Sequence, residues 1–329
     1  MDIIANLSDK ERIELFKETA SKMHTTNAIV EKDFWVVWTL DKIFLDERLN
    51  KILMFKGGTS LSKVFGLIKR FSEDIDLILN WDLLTDENPY DERSKSQQNK
   101  FNVQLNEKAK LYIKDELLPI VSDILQPHCK CKIDEEDGFS INIEYPAIFK
   151  DSELLPQILL EIGPLALWLP SESFEISPFA AQEFPQKFKK PTCKVNAILA
   201  KRTFWEKATI LHQEANRAEN KRIPLRHSRH YYDLAMMAES SVKDEALSDL
   251  ELLTDVVEFK QRFYTSAWAK YEDAKVGTLK LLPPEFRYKE LKEDYKSMQN
   301  MIFGESIDFD KIIAILQELE DEINALLES

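Results

Sequence analysis

Residues 51–79 read KILMFKGGTSLSKVFGLIKRFSEDIDLIL. Positions 51–56 form a short apolar strand, and Gly57-Gly58 breaks it. Positions 59–68 follow a helical period, with Leu61, Val64, Phe65 and Ile68 on one face. Arg70-Phe71-Ser72 turns the chain, and 73–79 alternates as a second strand. On that strand Asp74 and Asp76 point to one face while Ile75 and Leu77 point to the other.

Two carboxylates on one strand face repel each other unless a cation lies between them. Hard oxygen ligands suit Mg²⁺ or Mn²⁺, which take one or two carboxylates plus substrate phosphates. Gly57 and Gly58 let a backbone approach a triphosphate, and the helix N-terminus offers free N–H groups to it. The hydroxyls of Thr59 and Ser60 add donors, and Lys63 and Arg70 add cations, to this candidate phosphate-binding set. A phosphate cradle, a helix and a paired-carboxylate strand together spell metal-assisted nucleotidyl transfer.

The stretch resembles the polymerase-β-like nucleotidyltransferase superfamily, whose signature is Gly-Gly or Gly-Ser, a helix, then Asp-x-Asp on the next strand. More narrowly, FKGGTSLSKVFGLIKRFSEDIDL is similar to the AbiEii/AbiGii toxin family of abortive-infection and toxin–antitoxin systems. Gly57-Gly58 stands further from Asp74 than in many superfamily members. The resemblance implies an α+β fold, a mixed sheet with flanking helices followed by a C-terminal helical domain. It implies transfer of a nucleoside monophosphate from a nucleoside triphosphate to RNA, particularly tRNA 3′ ends, with release of pyrophosphate. It also implies a growth-arresting role countered by an antitoxin encoded alongside.

The chain has 329 residues, 44% hydrophobic and 31% charged, enough for one large or two modest domains. No apolar run reaches ~18 residues, so no membrane span is expected. The N-terminus lacks a basic region followed by an apolar block, so no signal peptide is expected and a cytoplasmic location is the default. Cys129 and Cys131 beside His128 lack zinc-like spacing and read, with Cys193, as reduced structural thiols.

The net charge of −14 argues against bulk nucleic-acid binding, but it is unevenly spread. Residues 184–230 carry twelve Lys/Arg against Glu206, Glu214 and Glu219, a net +9 that leaves −23 elsewhere. Such a segment is a candidate track for a phosphate-bearing partner, against the plainer reading of a solvated helix face and loop. With the family resemblance, Lys189, Lys190, Arg222 and Arg226 become RNA-contact candidates. The loop at 217–226, RAENKRIPLR, reads as flexible and basic.

Helices are expected at 8–22, where Ser8 and Glu11 form a capping-box pattern, and at 27–48. Trp35 and Trp38 on the second read as core; Lys32 and Asp33 lie in a segment that resembles the family's N-terminal helix, against a surface salt bridge as the alternative. Residues 80–100 read as a loop, 101–125 as a helix, and 128–134, 139–145 and 157–163 as strands, giving about five in all. On the last strand a lone carboxylate, Glu161, sits amid apolar residues. Superfamily members carry a third carboxylate on a neighbouring strand, for which the resemblance of LLEIG makes Glu161 the candidate and Glu144 the alternative, against the plainer reading of Glu161 as an edge residue facing water.

From 191 onward the pattern is helical, at 194–215, 228–240, 243–264, 285–302 and 308–328. The expected domains are 1–190, catalytic, and 191–329, helical. Trp205-Glu206-Lys207 and the later Tyr232-Asp233-Leu234 resemble downstream motifs of the toxin family, which implies functional roles for Lys207 and Asp233. An ammonium at 207 suits triphosphate or departing pyrophosphate charge, and Asp233 suits a charge-assisted bond to it; an interhelical ion pair is the structural alternative. His230 stands where the family often has an acid.

Two other functions fit the same residues: a non-catalytic nucleotide- or partner-binding module, and a nucleotidyltransferase for a small molecule. The intact Asp74/Asp76 pair weighs against the first and the basic segment against the second.

Overall fold

Leu53–Lys56 (β1) and Ile75–Leu79 (β2) pair antiparallel, so the two motif strands lie side by side. The computed structural model describes residues 1–151, 154–303 and 306–326 and builds these strands into the middle of a seven-stranded sheet. The others are Lys130–Ile133 (β3), Ser140–Glu144 (β4), Gln157–Gly163 (β5), Ser171–Ile176 (β6) and Cys193–Ile198 (β7). Their order is β3-β4-β5-β2-β1-β7-β6, with β2–β5 and β1–β7 parallel and the remaining pairs antiparallel. This is the α+β mixed sheet that the motif implies, two strands wider than the five read from the sequence. β6, SESFEI, carries little apolar signal, and β7 sits where the pattern reads as the start of a helix.

Asp9–Met23 (α1) starts at Ser8, whose capping box with Glu11 is complete. Asn27–Leu45 (α2) packs against α1, β5 and β7. Sixteen of its nineteen residues are buried, as a helix that is apolar on most sides must be. Trp35 and Trp38 pack edge to face at 5.4 Å and are core, as expected. Gly57–Lys63 (α3) is shorter than the helix read at 59–68, because Val64 caps it and Gly66 turns the chain with φ +62°. Lys95–Tyr112 (α4) begins inside the stretch read as loop; the signal was there, since Ser94 and Gln97 form a second capping box. The helix continues through one π-helical stretch, Ile113–Leu117, into Leu118–Leu125 (α5), and Phe179–Glu183 (α6) precedes β7.

The chain divides into two units: Met1–Phe65 with Phe71–Ile198, and Gly66–Arg70 with the chain from Leu199 onward. The switch from strand to helix falls at Ile198 and Leu199, later than the boundary near 190 that the onset of the helical pattern gives, because β7 still belongs to the sheet. The second unit is built on Ala200–Ala215 (α7), which packs on Ser228–Ala238 (α8), Ser241–Leu247 (α9) and Leu250–Phe263 (α10). The helix read at 243–264 splits because Asp249 caps α10. Tyr288–Met298 (α11) and Phe309–Ala325 (α12) pack on α8. The expected helix at 308–328 runs past position 326, where its end lies outside the described residues. Among the described residues no helix is long and apolar enough to cross a membrane.

The three cysteines are free, and burial pushes the thiols up, to about 12 for Cys129 and Cys193 and about 11 for Cys131. Inert structural thiols behave this way.

Candidate active site

β1, β2, β5 and β4 bring one polar row together. Lys56 lies opposite Asp76, Asp76 opposite Glu161, and Glu161 opposite Ser140. Partners in register on adjacent strands show their side chains on one face. The other face of β2 carries Ile75, Leu77 and Leu79, which are fully buried. The row's own face is open only in part: Glu161 is exposed and Asp76 half-buried, but Ser140 is buried, and further along β2 Ile78 packs with Met54, Ala166 and Ile198.

Glu161 is not the buried carboxylate that its apolar neighbours suggest. It is exposed, and β5 alternates, with Ile158, Leu160 and Ile162 buried on the opposite face. Glu144 is also exposed and bonds Lys132 at 2.7 Å. It lies four positions along β4 from Ser140, roughly 13 Å away at strand rise. Register therefore sets Glu161, and not Glu144, level with Asp76. Lys56 and Ser140 escape sequence reading, because nothing local marks a residue whose importance comes from its cross-strand neighbour.

Gly57 has φ +82°, and a Cβ built there would overlap the Asp76 carboxylate, 2.6 Å from its Cγ and 2.9 Å from its Cβ. The glycine is needed first by Asp76. Gly57→Ala is expected to push that carboxylate aside and to cost about 1–2 kcal/mol of backbone strain. A misplacement near 1 Å at a reacting centre costs on the order of 100-fold in rate. Steady-state kinetics beside a thermal melt measures both effects.

The Thr59 and Ser60 hydroxyls, expected to face phosphate, are used inside the protein. Thr59 donates to the Asp74 carbonyl and, at 3.4 Å, to that of Ser72; Ser60 donates to the Gly57 carbonyl at 2.8 Å. Thr59 ties the start of α3 to the segment bearing Asp74, and Ser60 bonds back within the first turn of α3. Gly58 lies in the first turn of α3. Lys63, also expected at phosphate, buries its side chain in an ion pair with Asp33, with Nζ 3.4 Å from the Phe179 ring centroid.

The second unit holds a separate cluster. Arg70 forks onto Asp233, Nε to Oδ1 at 2.7 Å and Nη2 to Oδ2 at 2.8 Å. Lys207 Nζ reaches Asp233 Oδ2 at 2.7 Å and His230 Nδ1 at 3.1 Å. Arg70, read from the sequence as a phosphate contact, is thus occupied by Asp233, as is Lys207. Burial alone would raise the Asp233 pKa, but Arg70 and Lys207 overcome it and hold the carboxyl well below the usual range. Burial lowers the Lys207 pKa, and Asp233 opposes that. Burial, with Lys207 beside it, drives His230 well below an ordinary histidine, so its Nδ1 accepts from the ammonium.

This sets a pH dependence. A histidine whose pKa is lowered by folding stays neutral while the unfolded chain takes up a proton, so stability falls as pH drops below about 6.5. His212 and His227 are lowered in the same way by burial. Asp233 acts in a lower window: its contribution is present above about pH 4 and fades below it. The melting temperature is expected to fall between pH 7 and 5. His230→Asn, which keeps an acceptor near Nδ1, is expected to flatten that fall in a melt-versus-pH series.

The basic segment is partly spent. Lys190 pairs with Asp41, Lys201 with Asp249, Arg202 with Glu206, Lys207 with Asp233 and Arg217 with Glu214. Lys189 lies in the first unit, Arg222 and Arg226 in the second, and all three are exposed. The loop at 217–226 is bonded in place: Arg287 donates to the Ala218, Glu219 and Lys221 carbonyls, and Asp294 accepts from the Arg226 amide at 2.7 Å.

Among the described residues no three His, Cys, Asp or Glu side chains converge as a ready-made metal site. The donor set still suits a hard divalent cation. Asp74 precedes β2 and Asp76 lies within it, two carboxylates are enough when substrate phosphates complete the shell, and Gly57 leaves the room that the Asp76 carboxylate fills.

A family model described as the nucleotidyl transferase AbiEii toxin of type IV toxin–antitoxin systems matches residues 38–315, which contain every candidate site residue from Gly57 to Asp233. A search of curated protein sequences finds no match. Among solved structures, the chain is similar to MenT4, a nucleotidyltransferase toxin from Mycobacterium tuberculosis H37Rv, with a TM-score of 0.51 and 16% identity over 96% of this chain and 89% of that one. At that identity the likeness speaks for the fold alone. With the fold, the polar row and the family match in agreement, the chain belongs to the AbiEii family of nucleotidyltransferase toxins.

Proposed function

We propose that this toxin transfers a nucleoside monophosphate from a nucleoside triphosphate to RNA, at a tRNA 3′ end, with a divalent cation held by Asp74 and Asp76. The observation that carries the reading is the row Lys56, Asp76, Glu161, with Gly57 shaped to admit the Asp76 carboxylate. Bound Mg²⁺ or Mn²⁺ would supply phosphate orientation and charge neutralisation. Glu161, exposed and one strand from Asp76, takes the proton of the attacking hydroxyl. The hydroxyl oxygen bonds the α-phosphorus, the bond to the bridging oxygen breaks, and pyrophosphate leaves. Gly57 and Gly58 offer backbone N–H groups to the phosphates. Within the second unit Arg70 and Lys207 share one carboxylate, so their cluster keeps a net positive charge. A cognate antitoxin is the expected protein partner.

RNA binding is tested by salt and charge. Neutralised phosphates release counterions, so RNA affinity is expected to fall steeply with salt. Reversing Lys189, Arg222 and Arg226 to Glu should raise the KM for RNA several-fold, flatten the salt slope, and spare nucleotide binding. Lys190 is left intact because it bonds Asp41 at 3.2 Å. Equal slopes and affinities would point to a small-molecule acceptor.

A further inference from the structure

We propose that Lys32 and Asp33, adjacent on α2, are positioning residues that lock the glycine helix and the segment bearing Asp74, which leads into β2, into one frame. The proposal rests on the reading of Asp74 and Asp76 as cation ligands. Neighbours on a helix point about 100° apart, so two adjacent side chains grip two different segments. Lys32 Nζ bonds Glu73 Oε2 at 2.7 Å and the Leu155 carbonyl at 3.2 Å. Glu73 is the residue before Asp74, and Leu155 leads into β5, which carries Glu161. Asp33 pairs with Lys63, the last residue of α3, and its Oδ2 accepts from the Phe179 amide at 2.6 Å.

These contacts close a ring. From α2 it runs through Asp33 to Lys63, along α3 to Thr59, through the Thr59 hydroxyl to Asp74, back one residue to Glu73, and through Lys32 to α2. Lys32 is 2% exposed and Asp33 0%. Buried ion pairs of this kind add little net stability over apolar residues of equal volume, because both charges must be desolvated. What two such pairs give that leucines would not is a fixed geometry at their far ends. Those ends are the two segments that carry Gly57 and Asp74.

The test is the double variant Lys32→Met/Glu73→Gln, which removes both charges and leaves neither uncompensated, beside Lys32→Arg. Three readouts are taken: melting temperature, Mn²⁺ affinity of the nucleotide-free protein by calorimetry, and kcat with KM for the triphosphate. The double variant is expected to melt within a few degrees of wild type, bind Mn²⁺ about tenfold more weakly and lose 10- to 100-fold in kcat. Lys32→Arg should recover most of both. If the double variant fails to fold, Asp33→Asn/Lys63→Met is read in the same way. A folded double variant with wild-type Mn²⁺ affinity and kcat overturns the inference alone. A wild-type protein that neither binds Mn²⁺ nor transfers nucleotide overturns the nucleotidyltransferase reading, and this inference with it.

Discussion

Asp76→Ala is expected to lower kcat/KM for nucleotide transfer by roughly 1000-fold, about 4 kcal/mol of transition-state stabilisation, while the protein stays folded. The carboxylate lies on the partly open face of β2, level with Glu161 and against Gly57. The core packs on the other face through Ile75, Leu77 and Leu79, and on this face only beyond Asp76, through Ile78. Truncation at 76 therefore leaves the core packing alone. It also leaves Lys56 without its cross-strand acid, a small cost on a half-buried face. The net change in melting temperature should be small. A folded Asp76→Ala protein with full activity in Mg²⁺ would remove Asp76 from the chemistry.

The largest effect on stability is expected at Asp233. Asp233→Ala strips the carboxylate that Arg70 and Lys207 share, and all three are buried. Leaving buried charges uncompensated costs about 3–5 kcal/mol. The second unit should melt roughly 10 °C or more lower. Lys207→Met should cost less, because Arg70 keeps its two bonds to Asp233. If Lys207 also serves nucleotide phosphates, its variant should lose more in kcat than the small change in melting temperature explains. A surface pair would have been worth about 0–1 kcal/mol; burial moves this one out of that class. Circular dichroism melts of the two variants, with rates measured well below the lower midpoint, separate these effects.

Local pattern made the centre of the fold legible. Asp74, Asp76 and the buried Ile75 and Leu77 alternate, and that period survives in the sequence up to Ile78, which is buried on the Asp76 face. The Gly57-Gly58 break and the two aspartates were legible for the same reason: their spacing is short. The row was not, since Asp76 and Glu161 meet only through the parallel pairing of β2 with β5. Sequence alone makes Arg70 a phosphate contact because its partner Asp233 is 163 residues away. Lys63 is misplaced likewise, since α2 supplies its partner from outside the motif. β7 was lost to a different cause. CKVNAI runs straight into α7, and a strand of six residues joined to a long helix takes on the helix's period.

The most direct measurement follows two labels. Wild-type protein is incubated with Mg²⁺, total RNA and each nucleoside triphosphate in turn, labelled on the α- or the γ-phosphate. Nucleotidyl transfer predicts α-label in the RNA, γ-label in released pyrophosphate, and neither product with Asp76→Ala. Label entering the acceptor from the γ-position only, or equal transfer by wild type and Asp76→Ala, would contradict the account.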